Sequence, residues 1–258
     1  MKYGLSMFGL GPVFRKDPDA FFQRITAAGY GYMEPCVMAQ QIPQIKDHMW
    51  TFEELEGFYP LLERYGVKIC SLHVYPQNLS QEREMLVELA KKYDVTQLVI
   101  PCPQFETSEQ GEKIAAMLTE EADRMHEERI NLLLHNGRAE CVARIDGMSN
   151  YEWLLTHCGE HVTSQADVGW LLYGGTDPVE FLWRNKQKIL SLHYKDMENT
   201  PEGMKEIGVG RGLVDMAECF RFAKEVDIVQ LVDQDSSRGD ILEDMEYVAN
   251  CFAQLSMK

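Results

Sequence analysis

Eight short apolar runs constrain this chain most, because they recur at regular intervals and several stop abruptly in polar, chemically capable side chains. They read YGLSMF from Tyr3, GYMEP from Gly31, VKICSLHV from Val67 and TQLVIPCP from Thr96. INLLLHN from Ile130, HVTSQADV from His161, ILSLHYKD from Ile189 and IVQLVDQD from Ile228 complete the set. Their spacing is roughly thirty residues, which leaves room for a crossover helix after each. Helical patterns fill those gaps. Pro18–Ala28 follows Asp17, a good N-cap with Pro at the first turn. Phe52–Tyr65 opens with Thr51 and Glu54, the spacing of a capping box. Gln81–Tyr93 and Glu109–Glu128 carry apolar residues at helical spacing, Tyr151–Cys158 is short, and Asp177-Pro178 opens another helix. Val214–Lys224 and Leu242–Leu255 are the last. Alternating strands and helices of this kind predict an α/β protein, a single (β/α)8 TIM barrel over residues 1–258. An open doubly wound sheet fits less well, since GLGP after the first run is not a GxGxxG phosphate turn.

A chain of 258 residues, 45% hydrophobic and 26% charged, can bury the core such a barrel needs. The formal net charge of −16 disfavours nucleic acid as a partner, because phosphate backbones are repelled at long range. No apolar run has the length of a membrane span, and MKYGLSMFGLGPVF lacks a long apolar stretch with a cleavage site. The seven cysteines are scattered singly with no CxxC pair, which predicts reduced thiols in a cytoplasmic protein.

In a barrel, catalytic side chains gather where strands end. The strand ends here carry Glu34, His73, His135 with Asn136 and Glu140, Asp167, His193 with Lys195, and Asp233. Glu140, Asp167, His193 and Asp233 come from four successive strands. Three carboxylates and one imidazole predict one divalent metal ion, Mn²⁺ first, then Mg²⁺, with Co²⁺ and Zn²⁺ compatible. Carboxylates on either side of such an ion suit proton removal and return beside a carbonyl, with Glu140 and Asp233 as the catalytic pair. Plainer roles compete. Asp167 also reads as a helix N-cap, Lys195-Asp196 as a rim ion pair, and Glu120-Glu121 with Glu127-Glu128 as solvated helix faces. Trp153 and Trp183 read as packing. Trp170, close behind Asp167, is the one placed to meet substrate. The stretch Val37–Trp50 is a candidate lid, with His48 and Trp50 able to meet substrate on closure.

At these residues the chain resembles the xylose-isomerase-like TIM-barrel superfamily of sugar phosphate isomerases and epimerases. The marks are GYMEP, SLHV, HNGRAE, DVGW…GGTDPVEFL, LHYKD, GVGRG and VDQDSS, spread over nearly the whole chain. HNGRAE looks like the branch with inosose-dehydratase-like and 3-keto-sugar-processing members. The resemblance implies that Glu140, Asp167, His193 and Asp233 hold the ion and that Glu140 and Asp233 flank the reacting carbons. It also implies that His73 and Lys195 contact substrate; Glu34, His135, Asn136 and Trp170, read from their places at the strand ends, are further substrate-binding candidates. Two departures stand out: Gly137 where the branch usually has His, and Asp233 where Glu is usual.

The expected function is a sugar or keto-sugar isomerase or epimerase working through an enediolate. A lyase or dehydratase on a keto-sugar or keto-inositol is the runner-up. A non-catalytic sugar-binding barrel subunit is a different class, and a phosphoesterase on nucleic acid fits least. The expected partner is a small-molecule sugar, with no nucleic acid or membrane. A homo-oligomer is compatible with the sequence.

Overall fold

The computed structural model describes residues 3–40 and 42–256. Eight parallel strands form a closed ring. They are Tyr3–Ser6, then Tyr32–Glu34 continuing as Cys36–Met38, then Lys68–Ile69 continuing as Leu72–Val74. Gln97–Pro101, Asn131–His135, Val162–Asp167, Ile189–Tyr194 and Val229–Val232 follow. The first strand pairs with both the eighth and the second, which closes the circle. The second strand breaks at Pro35, which has no N–H for the ladder, but its carbonyl still accepts His73 N at 3.1 Å. Each run read from the sequence becomes a strand starting within one residue of its expected position.

The long helices match their sequence patterns. Phe52–Tyr65 begins with the Thr51/Glu54 capping box, and Asp17 caps Pro18–Ala27 through Ala20 N. Three short helices, Gly11–Lys16, Arg138–Val142 and Val168–Tyr173, were not legible as apolar periodicity, being only five or six residues each. Two antiparallel hairpins were also unforeseen. Arg144–Ile145 pairs with Met148–Ser149 across Asp146-Gly147, both with positive φ (52° and 83°), as a two-residue hairpin turn requires. Asp196–Thr200 pairs with Gly203–Ile207 and follows directly on the seventh strand, at its C-terminal end.

Strand side chains alternate between the helix layer and the barrel interior. The outward set packs with the helices into one apolar core that includes Leu132, Leu134, Ala166, Leu192 and Phe222. The inward set is polar near the mouth: Ser71 and His73, Gln165 and Asp167, Ser191 and His193 are pairs two residues apart, all buried. Glu121 corrects one expectation. It is 2% exposed and accepts from Arg83 Nη1 at 2.9 Å, so it ties two helices together and does not face solvent. Glu120, Glu127 and Glu128 are exposed as expected. Trp50 is packing, edge-on to Phe14 and Phe58. In the lid stretch, Gln41 lies outside the described residues. His48 holds its far end to the first strand's loop, with Nδ1 2.9 Å from Phe8 O and its ring stacked on Phe8.

Candidate metal centre

A cavity of about 320 Å³ opens at the C-terminal ends of the strands, lined by Phe8, His73, Tyr75, His135, Glu140, Trp170, His193 and Asp233 among others. A larger one, about 790 Å³, lies at the opposite rim around the starts of the fourth, seventh and eighth strands. The cluster of metal-capable side chains is in the smaller. There, ligand atoms from His135, Asp167, His193 and Asp233 lie within 4.8 Å of one another.

Among the described residues, each of these four side chains has one polar atom tied down and another without a hydrogen bond. Asp167 Oδ1 caps the helix Val168–Tyr173 by accepting Trp170 N at 2.9 Å, and its Oδ2 is buried without a partner. Capping and ligation are therefore compatible for Asp167. His193 Nε2 lies 3.0 Å from Glu34 Oε1, while its Nδ1 makes no well-formed hydrogen bond among the described residues and faces Asp233 Oδ2 at 3.4 Å. Asp233 Oδ2 pairs with Lys195 Nζ at 3.1 Å, and Oδ1 is buried and unpartnered. His135 Nδ1 lies 3.1 Å from Gln165 Oε1, leaving Nε2 for the centre. Buried polar atoms without partners are costly in a folded protein. Several of them beside one cluster of N and O donors fit a divalent cation.

The electrostatics give each of these groups a defined charge. Burial works against charge on His193, but Glu34 and Asp233 outweigh it and push its pKa up to about 10. Burial likewise opposes charge on Lys195. The surrounding Asp233, Asp235, Glu206 and Asp167 outweigh it and hold the ammonium firmly charged. Asp233 stays well below the usual carboxylate range, because Lys195 and His193 overcome its burial. Asp167 is pushed well above that range by burial, against the opposing pull of Lys195 and with Asp233 adding repulsion. A cation between the two aspartates would relieve that conflict. His135 is held well below its ordinary pKa by burial and then by His193 and His73, so its ring is neutral.

The sequence-predicted residues divide as follows. Asp167, His193 and Asp233 converge with His135, which had been read as a substrate contact. Glu140 is not in that group. It stands at the third position of the helix Arg138–Val142 and its Oε2 accepts Gly137 N at 3.0 Å, while the residue still lines the cavity. His73 and Trp170 line the cavity too. Glu34, Asn136 and Lys195 lie behind its wall, fully buried. Asn136 ties two strand ends together, accepting Asp167 N at 2.8 Å and donating to Asp167 O at 3.0 Å. Lys195 and Asp196 do not form a rim pair. Lys195 faces Asp233 and Asp235, while Asp196 is buried and accepts the N–H groups of Gly210, Gly212 and Val214. Gln165, Ser71 and Glu206 escaped the sequence reading. For Gln165 and Ser71 a signal existed, since each lies two residues before a strand-end site residue and so shares its face. Glu206 reaches the site only through the unforeseen hairpin, where it accepts Asp235 N at 2.6 Å.

Solved structures share this architecture. A sugar phosphate isomerase/epimerase from Parabacteroides distasonis superposes with a TM-score of 0.76 at 19% identity, covering 96% of this chain and 92% of that one. The probable 3-DHS dehydratase AsbF of Bacillus anthracis gives a TM-score of 0.72 at 14% identity over 98% and 99%. The IolI protein, solved with a zinc atom bound, gives 0.66 at 17% identity over 99% and 96%. No curated protein matches the chain in sequence. At these identities the likeness is one of fold. The family model described as xylose isomerase-like TIM barrel, however, matches residues 22–250, and the chain belongs to that family.

Proposed function

We propose that the chain is a divalent-metal-dependent sugar or keto-sugar isomerase or epimerase that moves a proton at the carbon beside a carbonyl. The observation that carries this reading is the convergence of His135, Asp167, His193 and Asp233 on the floor of a cavity whose wall presents Glu140. His135 Nε2, Asp167 Oδ2, His193 Nδ1 and Asp233 Oδ1 would hold the ion. Two imidazoles and two carboxylates move the fit from Mn²⁺ and Mg²⁺ toward Co²⁺ or Zn²⁺. When bound, the ion polarises a substrate carbonyl and so acidifies the neighbouring carbon.

The protein's own groups then have defined tasks. Glu140, steered by the Gly137 N–H, is placed to take or return the carbon-bound proton from the cavity wall. Asp233, kept anionic by Lys195, faces the same cavity from the eighth strand and is its counterpart. Phe8, Tyr75 and Trp170 give the wall an apolar surface that suits the C–H face of a sugar and limits water. The volume, about 320 Å³, suits a small substrate.

The test is NMR product analysis in D₂O across aldoses, ketoses and keto-inositols with Mn²⁺, Co²⁺ or Zn²⁺. One deuterium appearing on carbon without loss of water supports the reading. An unsaturated product would transfer the same site to a dehydratase. Absence of exchange on every sugar, with the ion confirmed in place, would overturn it.

A further inference from the structure

Beneath the four converging groups lies a buried polar layer to which no role has been given: Glu34, Ser71, Gln165 and Ser191, each 0% exposed. Glu34 sits at its centre, with Ser71, Gln165, His193 and His73 gathered on its two carboxylate oxygens, which act as acceptors. Its Oε2 takes the Ser71 hydroxyl and Gln165 Nε2, the latter at 2.6 Å. The Gln165 amide is thereby fixed with nitrogen toward Glu34 and Ser191, and its oxygen must face His135. That oxygen accepts, so His135 Nδ1 carries the hydrogen and Nε2 carries the lone pair. On the other side, Glu34 Oε1 accepts from His193 Nε2 at 3.0 Å, which points Nδ1 toward Asp233, 3.4 Å away. The same Oε1 lies 3.6 Å from His73 Nδ1, and His73 Nε2 is buried without a partner beside the cavity.

We propose that Glu34 and Gln165 are a positioning pair. One buried carboxylate and the amide it orients select which nitrogen of His135 and His193 is offered to the ion, and which nitrogen of His73 is offered to the substrate. The assignment rests on the ion-binding reading above. It adds that the His135 tautomer, and the hydrogen that His193 keeps on Nε2, are fixed before any ion arrives. Neither residue touches the reacting atoms. They act through the imidazoles, as outer hydrogen-bond partners of metal-binding histidines generally do.

Long-range ¹H–¹⁵N correlation spectra of the ion-free and Zn²⁺-loaded wild-type protein test this directly, because they report which ring nitrogen bears hydrogen. His135 as the Nδ1–H form, and His193 with hydrogen retained on Nε2 when Zn²⁺ is bound, are expected. The opposite tautomer at either ring overturns the assignment. Zn²⁺ that leaves both ring spectra unchanged would sink the ion site instead, while the ion-free His135 tautomer still decides the positioning role. Glu34→Gln and Gln165→Leu, checked for native circular dichroism, should each weaken Zn²⁺ binding by roughly 10–100-fold in calorimetry. Gln165→Glu, which keeps an acceptor facing His135, should recover part of that loss. Folded variants with wild-type affinity and unchanged tautomers would also overturn it.

Discussion

Glu140 Oε2 accepts the backbone N–H of Gly137, three residues earlier, at 3.0 Å. That one hydrogen bond separates two jobs that a strand-end carboxylate in this barrel can do. It leaves Glu140 on the cavity wall but outside the group that converges on the floor, where His135 stands.

Glu140→Gln should therefore keep the ion while losing chemistry. Ion occupancy, read by elemental analysis after dialysis, should match wild type. Solvent-deuterium exchange at the reacting carbon should fall by roughly 10²–10⁴. Loss of the ion in this variant would return Glu140 to the ligand set.

Asp167→Asn should do the reverse. The amide oxygen can still cap Trp170 N, so the helix Val168–Tyr173 is kept, but the unpartnered anionic oxygen that suits a cation is gone. Most bound ion should be lost with little change in melting temperature. His135→Ala should lose ion too, which Glu140→Gln should not.

Lys195→Met leaves Asp233, Asp235 and Glu206 facing one another without their common cation. Removing one partner from a buried charge cluster typically costs about 3–5 kcal/mol. Urea unfolding of the ion-free variant should show a loss of that order, with part of it recovered when a divalent ion is added. A neutral outcome would mean that water reaches this cluster freely.

How much of this was legible in the sequence depends on which physical signal each feature leaves. The strands were legible because an apolar run ending in polar groups is a local pattern. His135, Asp167, His193 and Asp233 were named because strand ends are where barrels put chemistry. That His135 and not Glu140 joins the converging group leaves little local signal, because both follow the fifth strand and either can turn inward. The decision rests on a five-residue helix too short to show periodicity. Its spacing, Gly137 to Glu140, is nonetheless that of a capping pair, and pointed to the backbone N–H that claims Glu140. Gln165 leaves no chemical signal in the sequence, because a strand glutamine has no chemistry of its own. Its role exists only once Glu34, 131 positions away, is folded against it. Glu121 was misread for a similar reason: one of two adjacent glutamates meets Arg83 from another helix, and sequence alone does not say which.

That pair gives the last prediction, on acid stability. Glu121 is 2% exposed, and its carboxylate lies 2.9 Å from Arg83 Nη1. Burial raises its pKa, but hydrogen bonds from Arg83 and Ser80 outweigh this and hold it below the ordinary glutamate value of 4.5. A carboxyl group with a lower pKa in the folded state favours folding wherever it is ionised in both states. Its contribution is therefore complete above about pH 4.5 and disappears as pH falls through the lower folded-state value. Glu121→Gln should remove that dependence. Between roughly pH 7 and 5 the variant should be less stable than wild type, by about 1–3 kcal/mol for a lost charged hydrogen bond. As pH falls from about 4.5 through that lower folded-state value, the two unfolding curves should converge. The comparison is made in the ion-free state, so that ion loss in acid does not contribute. A gap that stays constant all the way down the acid titration would show that Glu121 stabilises by packing between the helices and not by its charge.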